Sequence, residues 1–242
     1  MKLQWSNFLV NISFVKSWFL DWRAYVAEFL GTLCFVFISS ALVVSDIFFG
    51  NLGVLGISLG IGLFYSALIF LTAHLSGGFL NPAVTVALWL SQKLTGVKTI
   101  FFLIAQVAAS FAAAGLVFLV FGADAQKFGL GAPAVGFEVG PDVAVILEAF
   151  LVAILIFVIF GTMVDRAGPV SFGPLAIGLV VFALTLFDLP LSGASLNPAR
   201  AIGPAVVSKK TLDLALFIIG PLGGSLFGPI YSLLFLKKAK SR

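Results

Sequence analysis

Two stretches of the chain carry the same polar signature inside otherwise apolar sequence. Ser76–Lys93 reads SGGFLNPAVTVALWLSQK and Ser192–Lys210 reads SGASLNPARAIGPAVVSKK. Both contain S-G-x-x-L-N-P-A, with Asn81 and Asn197 116 positions apart. Pro is pre-shaped for the first position of a helix, and Asn is a favoured cap just before it. Asn81-Pro82-Ala83 and Asn197-Pro198-Ala199 therefore each predict a helix start. About ten mostly apolar residues follow each motif, then Lys93 or Lys209. Ten residues make about 15 Å of helix, half the hydrocarbon core of a bilayer. Two such half-helices, one from each side, would meet head to head at the centre and bring two positive helix ends and two Asn amides together. The lead-ins, His74–Leu80 and Pro190–Leu196, contain Gly77, Gly78 and Gly193. Non-helical backbone at that depth must line a watery cavity or be buried in protein. The carbonyls of Gly77, Gly78 and Phe79, and of Gly193, Ala194 and Ser195, then form a ladder of acceptors. That set of groups suits water and repels a proton or a metal cation.

Four ionisable or titratable residues stand near the motifs. Arg200 is three residues into the second half-helix, and a lone Arg at membrane depth is too costly to be incidental. Glu28 and Glu148, 120 positions apart, sit in apolar runs. They read either as a proton relay or, preferably, as buried acceptors for backbone N–H groups of the re-entrant loops. His74, seven residues before Asn81, fits both a cytoplasmic mouth and a buried, hydrogen-bonded histidine.

The elements that must position these groups are membrane helices. The 242 residues are 61% hydrophobic and 10% charged, with mean hydropathy +1.17. Long continuous apolar runs, without short alternating segments, exclude a soluble domain and a membrane barrel. Spans are expected at Ala24–Val44, Leu52–Thr72, Lys98–Phe121, Asp142–Val164, Pro174–Leu189 and Leu212–Leu236. One Cys and one His leave no disulfide framework, no metal centre and no cofactor site. The net charge of +4 reads as topology, with no case for nucleic acid.

The expected organisation is a leader at 1–23, a channel domain at 24–236 and a basic tail at 237–242. The domain holds two repeats, at about 24–121 and 142–236. Three spans per half make the second half an inverted copy of the first. Lys2, Lys16, Arg23, Lys93, Lys98, Arg166 and the tail cations then lie inside, with both termini cytoplasmic. Lys127, Lys209 and Lys210 lie outside; Lys93 and Lys209 would each close a half-helix, where a cation is favoured. Trp5, Phe8, Ile12, Val15 and Phe19 recur at helical spacing, so the leader reads as a surface helix or as a frayed approach to the first span.

On the paired motifs, their flanks and Arg200, the chain from about Ala24 to Leu236 resembles the major intrinsic protein family, the aquaporins and glycerol facilitators. The resemblance implies six tilted helices plus two half-helices, one pore per chain and a homotetramer, in the plasma membrane. It also implies that Arg200 sits in the narrowest constriction, and that Glu28 and Glu148 support the loops. Alignment with the family puts Ile61, Thr185 and Ala194 beside Arg200. Water-strict members have an aromatic and a His at the first two positions, and glycerol facilitators have Trp, Gly and Phe. Lacking both sets, this constriction is expected to be wider and more apolar. Ala201, Ala205 and a short connection between spans three and four resemble water channels instead. The expected permeants are water and small uncharged solutes such as glycerol, hydrogen peroxide and urea, with protons and ions excluded; the alternative is a water-strict pore. An ion-coupled transporter would need coordinating residues at the centre, an enzyme would need a nucleophile and base, and a junctional protein would not conduct.

Overall fold

The computed structural model describes residues 21–136 and 138–236. Among them, six helical crossings are long and apolar enough to span a membrane, and two shorter helices lie between them. In chain order, α1 is Trp22–Phe49, α2 Gly53–Thr72, α3 Pro82–Leu90, α4 Gly96–Lys127, α5 Pro141–Ile159, α6 Gly173–Asp188 and α7 Pro198–Ser208. The last crossing, Leu216–Leu234, is built from α8 (Leu216–Gly224) and α9 (Phe227–Leu234). No strand occurs among the described residues. The expected all-α membrane fold, six crossings with two re-entrant half-helices in an inverted 3+3 repeat, is what the chain adopts; α3 and α7 are the half-helices.

Several boundaries differ from the expected ones, for local reasons. Helix α1 continues past Val44 to Phe49 because Asp46 is satisfied: its Oδ1 accepts from Leu52 N at 2.8 Å and Gly53 N at 2.9 Å, at the start of α2. Helix α4 runs past Phe121 to Lys127, but Gly122 takes a left-handed φ of 73° and breaks it just where the crossing was expected to end. The last crossing starts at Leu216 rather than Leu212, since residues 212–215 form turns. Helix α1 begins at Trp22, inside the expected leader. The surface-helix reading of Trp5–Phe19 and the basic tail at 237–242 lie outside the described residues.

Packing follows the repeat. Helices α2 and α6 cross at Gly62 and Gly178, which are 116 positions apart. A Cβ on Gly62 would stand 2.6 Å from the Gly178 carbonyl, and one on Gly178 would stand 2.6 Å from the Gly62 carbonyl. Only glycine allows this approach, and its reciprocity puts the crossing on the axis relating the halves. Helix α1 packs on α4, and α5 on α8. Helix α7 seats against α4, where Ser110 Oγ donates to the Ala199 carbonyl and accepts from Gly203 N at 2.7 Å. Large side chains such as Leu119, Ile146 and Leu233 face outward and are exposed. A continuous apolar exterior of this kind is stable against lipid and not against water.

Candidate functional site

The two loops entering the half-helices are built alike. Ser76 Oγ (2.6 Å), Phe79 N (3.0 Å) and Leu80 N (2.7 Å) all donate to the Glu28 carboxylate. At positions 116 residues later, Ser192 Oγ (2.9 Å), Ser195 N (2.7 Å) and Leu196 N (2.8 Å) donate to Glu148. Both glutamates are completely buried. Each carboxylate thus satisfies backbone donors that no helix pairs. The backbone bends repeat as well. Leu80 and Leu196 take φ of 50° and 53°, Gly77 and Gly193 of 104° and 80°, and Gly78 and Ala194 of 66° and 47°. Alanine therefore occupies in the second loop a left-handed position that glycine holds in the first, at a cost of about 1–2 kcal/mol.

Each loop ends on the expected N-cap. Asn81 and Asn197 have extended backbone, and their Oδ1 atoms accept from Ala83 N and Ala199 N, both at 2.9 Å, with Pro82 and Pro198 at the first helical positions. Their amides cross over: Asn81 Nδ2 donates to the Leu196 carbonyl and Asn197 Nδ2 to the Leu80 carbonyl, each at 2.9 Å. These two bonds hold the N-termini of α3 and α7 head to head. At the far ends, Lys93 N bonds the Leu88 carbonyl at 2.8 Å and Lys210 N bonds Ala205 at 2.9 Å. The structural counterpart of Lys93 is therefore Lys210 rather than Lys209. The second half-helix is longer and carries Pro204 inside it, and Lys209 is its left-handed C-cap.

Ile61, Thr185, Ala194 and Arg200 line one narrow cavity with Asn81 and Asn197. Arg200 Nη1 donates to the carbonyls of Gly193 at 2.8 Å and Ala194 at 3.0 Å. This buried guanidinium makes no ion pair among the described residues, and its Nε has no partner there. The cavity measures about 10 Å³, roughly the room one water molecule needs. The rings of Phe35 and Tyr65 line the same space. A vestibule of about 380 Å³ adjoins Arg200, walled by Val54, Ile57, Leu189, Pro190 and Gly193. His74 lies beyond the opposite end of α2 and is exposed, so its reading as a buried histidine falls away.

The geometry has counterparts. The model of the major intrinsic protein family matches residues 14–232. The lens fiber major intrinsic protein of Gallus gallus is 34% identical over 224 residues, covering 91% of this chain and 84% of its own. Aquaporin Z of Photorhabdus laumondii is 36% identical over 230 residues, covering 89% and 99%. The chain belongs to the major intrinsic protein family. The X-ray structure of the aquaglyceroporin from Plasmodium falciparum shares the fold, with a TM-score of 0.78 at 21% identity over 89% of this chain and 96% of that one. As a major intrinsic protein, the molecule is a transmembrane channel of the aquaporin type and not an enzyme.

Contributors to this channel's interior that escaped the sequence reading include Val181, which lines the narrow cavity, and five others. Gln106 of α4 donates from Nε2 to Glu28 Oε2 at 2.8 Å and to Thr85 Oγ1 at 2.9 Å, tying the first carboxylate to α3. Asp188 approaches Ser192 Oγ with its Oδ2 at 2.6 Å. Phe35, Tyr65 and Leu155 line the narrow cavity. Gln106 and Asp188 carried a signal, being polar residues in apolar crossings; the aromatic pair did not stand out among 27 Phe and three Tyr.

Proposed function

We propose that this chain forms a passive pore for water that also admits small uncharged solutes, in the order hydrogen peroxide, urea, glycerol. The observation that carries this reading is the pair of N-caps joined amide to carbonyl across the repeat. An Asn amide has two donor hydrogens. One goes to the opposite loop, and the second is left for the lumen. A water accepting from both Asn residues uses both its lone pairs, so it cannot also accept from a neighbouring water. Its own hydrogens then point away from the centre towards the carbonyls of Gly77, Gly78 and Phe79 on one side and of Gly193, Ala194 and Ser195 on the other. A proton relay is interrupted there, and the two positive helix ends oppose any cation.

In this reading Ile61, Thr185, Ala194 and Arg200 form the entry filter. Arg200 and Thr185 offer hydrogen bonds on one side and Ile61 an apolar wall on the other, so a hydroxylated solute can shed water without stranding polar groups. Glu28 and Glu148 hold the ladders in place, and His74 stands at the cytoplasmic mouth. We further propose a channel domain at 24–236, both termini in the cytoplasm, a homotetramer and the plasma membrane as location.

Proteoliposomes tested by stopped-flow light scattering should show fast water entry, slower entry of each solute, and no acidification of a trapped pH dye. Arg200→Val should keep water flux and raise proton leak. Ile61→Phe with Thr185→His should lower glycerol flux far more than water flux. Water flux without any peroxide, urea or glycerol flux would overturn the solute range.

A further inference from the structure

The repeat gives every pore-lining residue a mate. Asn81 pairs with Asn197, Leu80 with Leu196, Phe35 with Leu155, and Tyr65 with Val181. All but Leu80 line the narrow cavity. The two loop pairs named here are identical and the two pairs on the crossings are not, and in both of those the first half carries the ring. Filter residues are not mates of each other: Ile61 pairs with Ile177 and Thr185 with Ile69. Tyr65 lies one turn beyond Ile61 on α2, about 6 Å deeper than the filter. Val181 lies one turn beyond Thr185 on α6, which approaches from the opposite direction.

Tyr65 is fixed in this place from two sides. Its hydroxyl donates to the Phe79 carbonyl at 2.9 Å, one rung of the first ladder. Its ring packs on Phe35 with centroids 4.7 Å apart and planes inclined at 54°. Only 2% of the residue is exposed. The ring is thus rigid and cannot swing aside for a bulky permeant, and its hydroxyl occupies an acceptor that a permeant would otherwise use.

We infer that Tyr65 is a second size filter of this pore, set between the entry ring and the paired asparagines, and that it decides how slowly glycerol passes relative to water. The inference rests on the channel reading above. The entry ring admits a solute by chemistry, while Tyr65 discriminates by width. Tyr65→Val gives the first half the side chain of its mate, removes the ring and releases the Phe79 carbonyl. Tyr65→Leu removes the ring but keeps more bulk. Tyr65→Phe keeps the ring and removes the tether.

The three variants and the native protein, each verified as monodisperse by size-exclusion chromatography, are compared for water, urea and glycerol flux in proteoliposomes. The glycerol-to-water ratio should rise about tenfold in Tyr65→Val, the low end of the discrimination that even one methylene gives in an apolar pocket. It should rise less in Tyr65→Leu, and least in Tyr65→Phe. An unchanged ratio in both Val and Leu variants overturns the inference while leaving the water channel standing. A native protein silent to water beside a conducting Tyr65→Val keeps Tyr65 as the obstruction and removes the native channel reading. Silence in all four overturns both.

Discussion

In the first half, Glu28 accepts from four donors: Ser76, Phe79 and Leu80 of the loop at 76–81, and Gln106 of α4. In the second, the loop at 192–197 hangs from Glu148 through three: Ser192, Ser195 and Leu196. No glutamine stands behind Glu148. Gly220 of α8 packs there instead, so close that a Cβ would meet the Glu148 Cβ at 2.8 Å. The second half adds a carboxylate where the first has a hydroxyl: Asp188 is the mate of Thr72. The loops are therefore conserved between halves where backbone must be satisfied. The halves diverge where side chains only supply support or width. A backbone donor at depth has no alternative partner, whereas support can be recruited from whichever helix lies nearby.

Removing the carboxylates tests this contrast most severely. Glu28→Ala and Glu148→Ala each strand two backbone N–H groups and a serine, at about 1–3 kcal/mol per group. Glu28→Ala also strands Gln106. Both variants should lose monodisperse protein in a heating series followed by size-exclusion chromatography, with Glu28→Ala failing at the lower temperature. Equal losses would mean that Gln106 adds nothing to the first half. Gln106→Leu isolates that addition, and should cost about 1–3 kcal/mol in the same assay; no position in the second half offers an equivalent loss.

The next effect is smaller and of opposite sign. Ser192 Oγ lies near both Glu148 and Asp188 but has one hydrogen to give. The hydroxyl can donate to only one of the two carboxyls, and Asp188 Oδ1 has no partner among the described residues. Asp188→Asn replaces an acceptor by a donor at this crowded point and should raise the apparent melting temperature by a few degrees, corresponding to about 1 kcal/mol. A fall would show that the second carboxylate supports the loop. The smallest change concerns the ends of the half-helices. Gln92 and Lys209 both close them in left-handed conformation, with φ of 58° and 62°. Gln92→Gly and Lys209→Gly should each stabilise by about 0.5–1 kcal/mol, measured in the same heating series, if the two ends are equivalent.

What the sequence conveyed divides along the same line. Asn81, Asn197, Arg200, Glu28 and Glu148 were legible because a polar group in an apolar run demands a partner, and the repeat pairs the partners. The six crossings were legible from apolar length, and their ends were not. The helix at Asp46 continues because of a hydrogen bond to the next turn, and the break at Gly122 depends on a single dihedral angle. Tyr65 and Phe35 were hidden for another reason. A ring facing the lumen and a ring facing lipid look identical in a string of apolar residues, and only packing separates them. The width of a pore is thus less legible than its chemistry.

The crossed bonds between Asn81 and Leu196, and between Asn197 and Leu80, bear on how the molecule is made. The Leu80 carbonyl emerges from the ribosome more than a hundred residues before the amide that satisfies it. Until then the first half carries an open acceptor at membrane depth, and its half-helix has nothing to abut. Closing so long a loop is entropically slow but adds little further cost with length. Insertion of the six crossings and closure of the pore are therefore separate events in time, and the second cannot begin until synthesis is nearly complete. A chain cut within the connection at 128–140 should regain its lumen only when both pieces share one membrane.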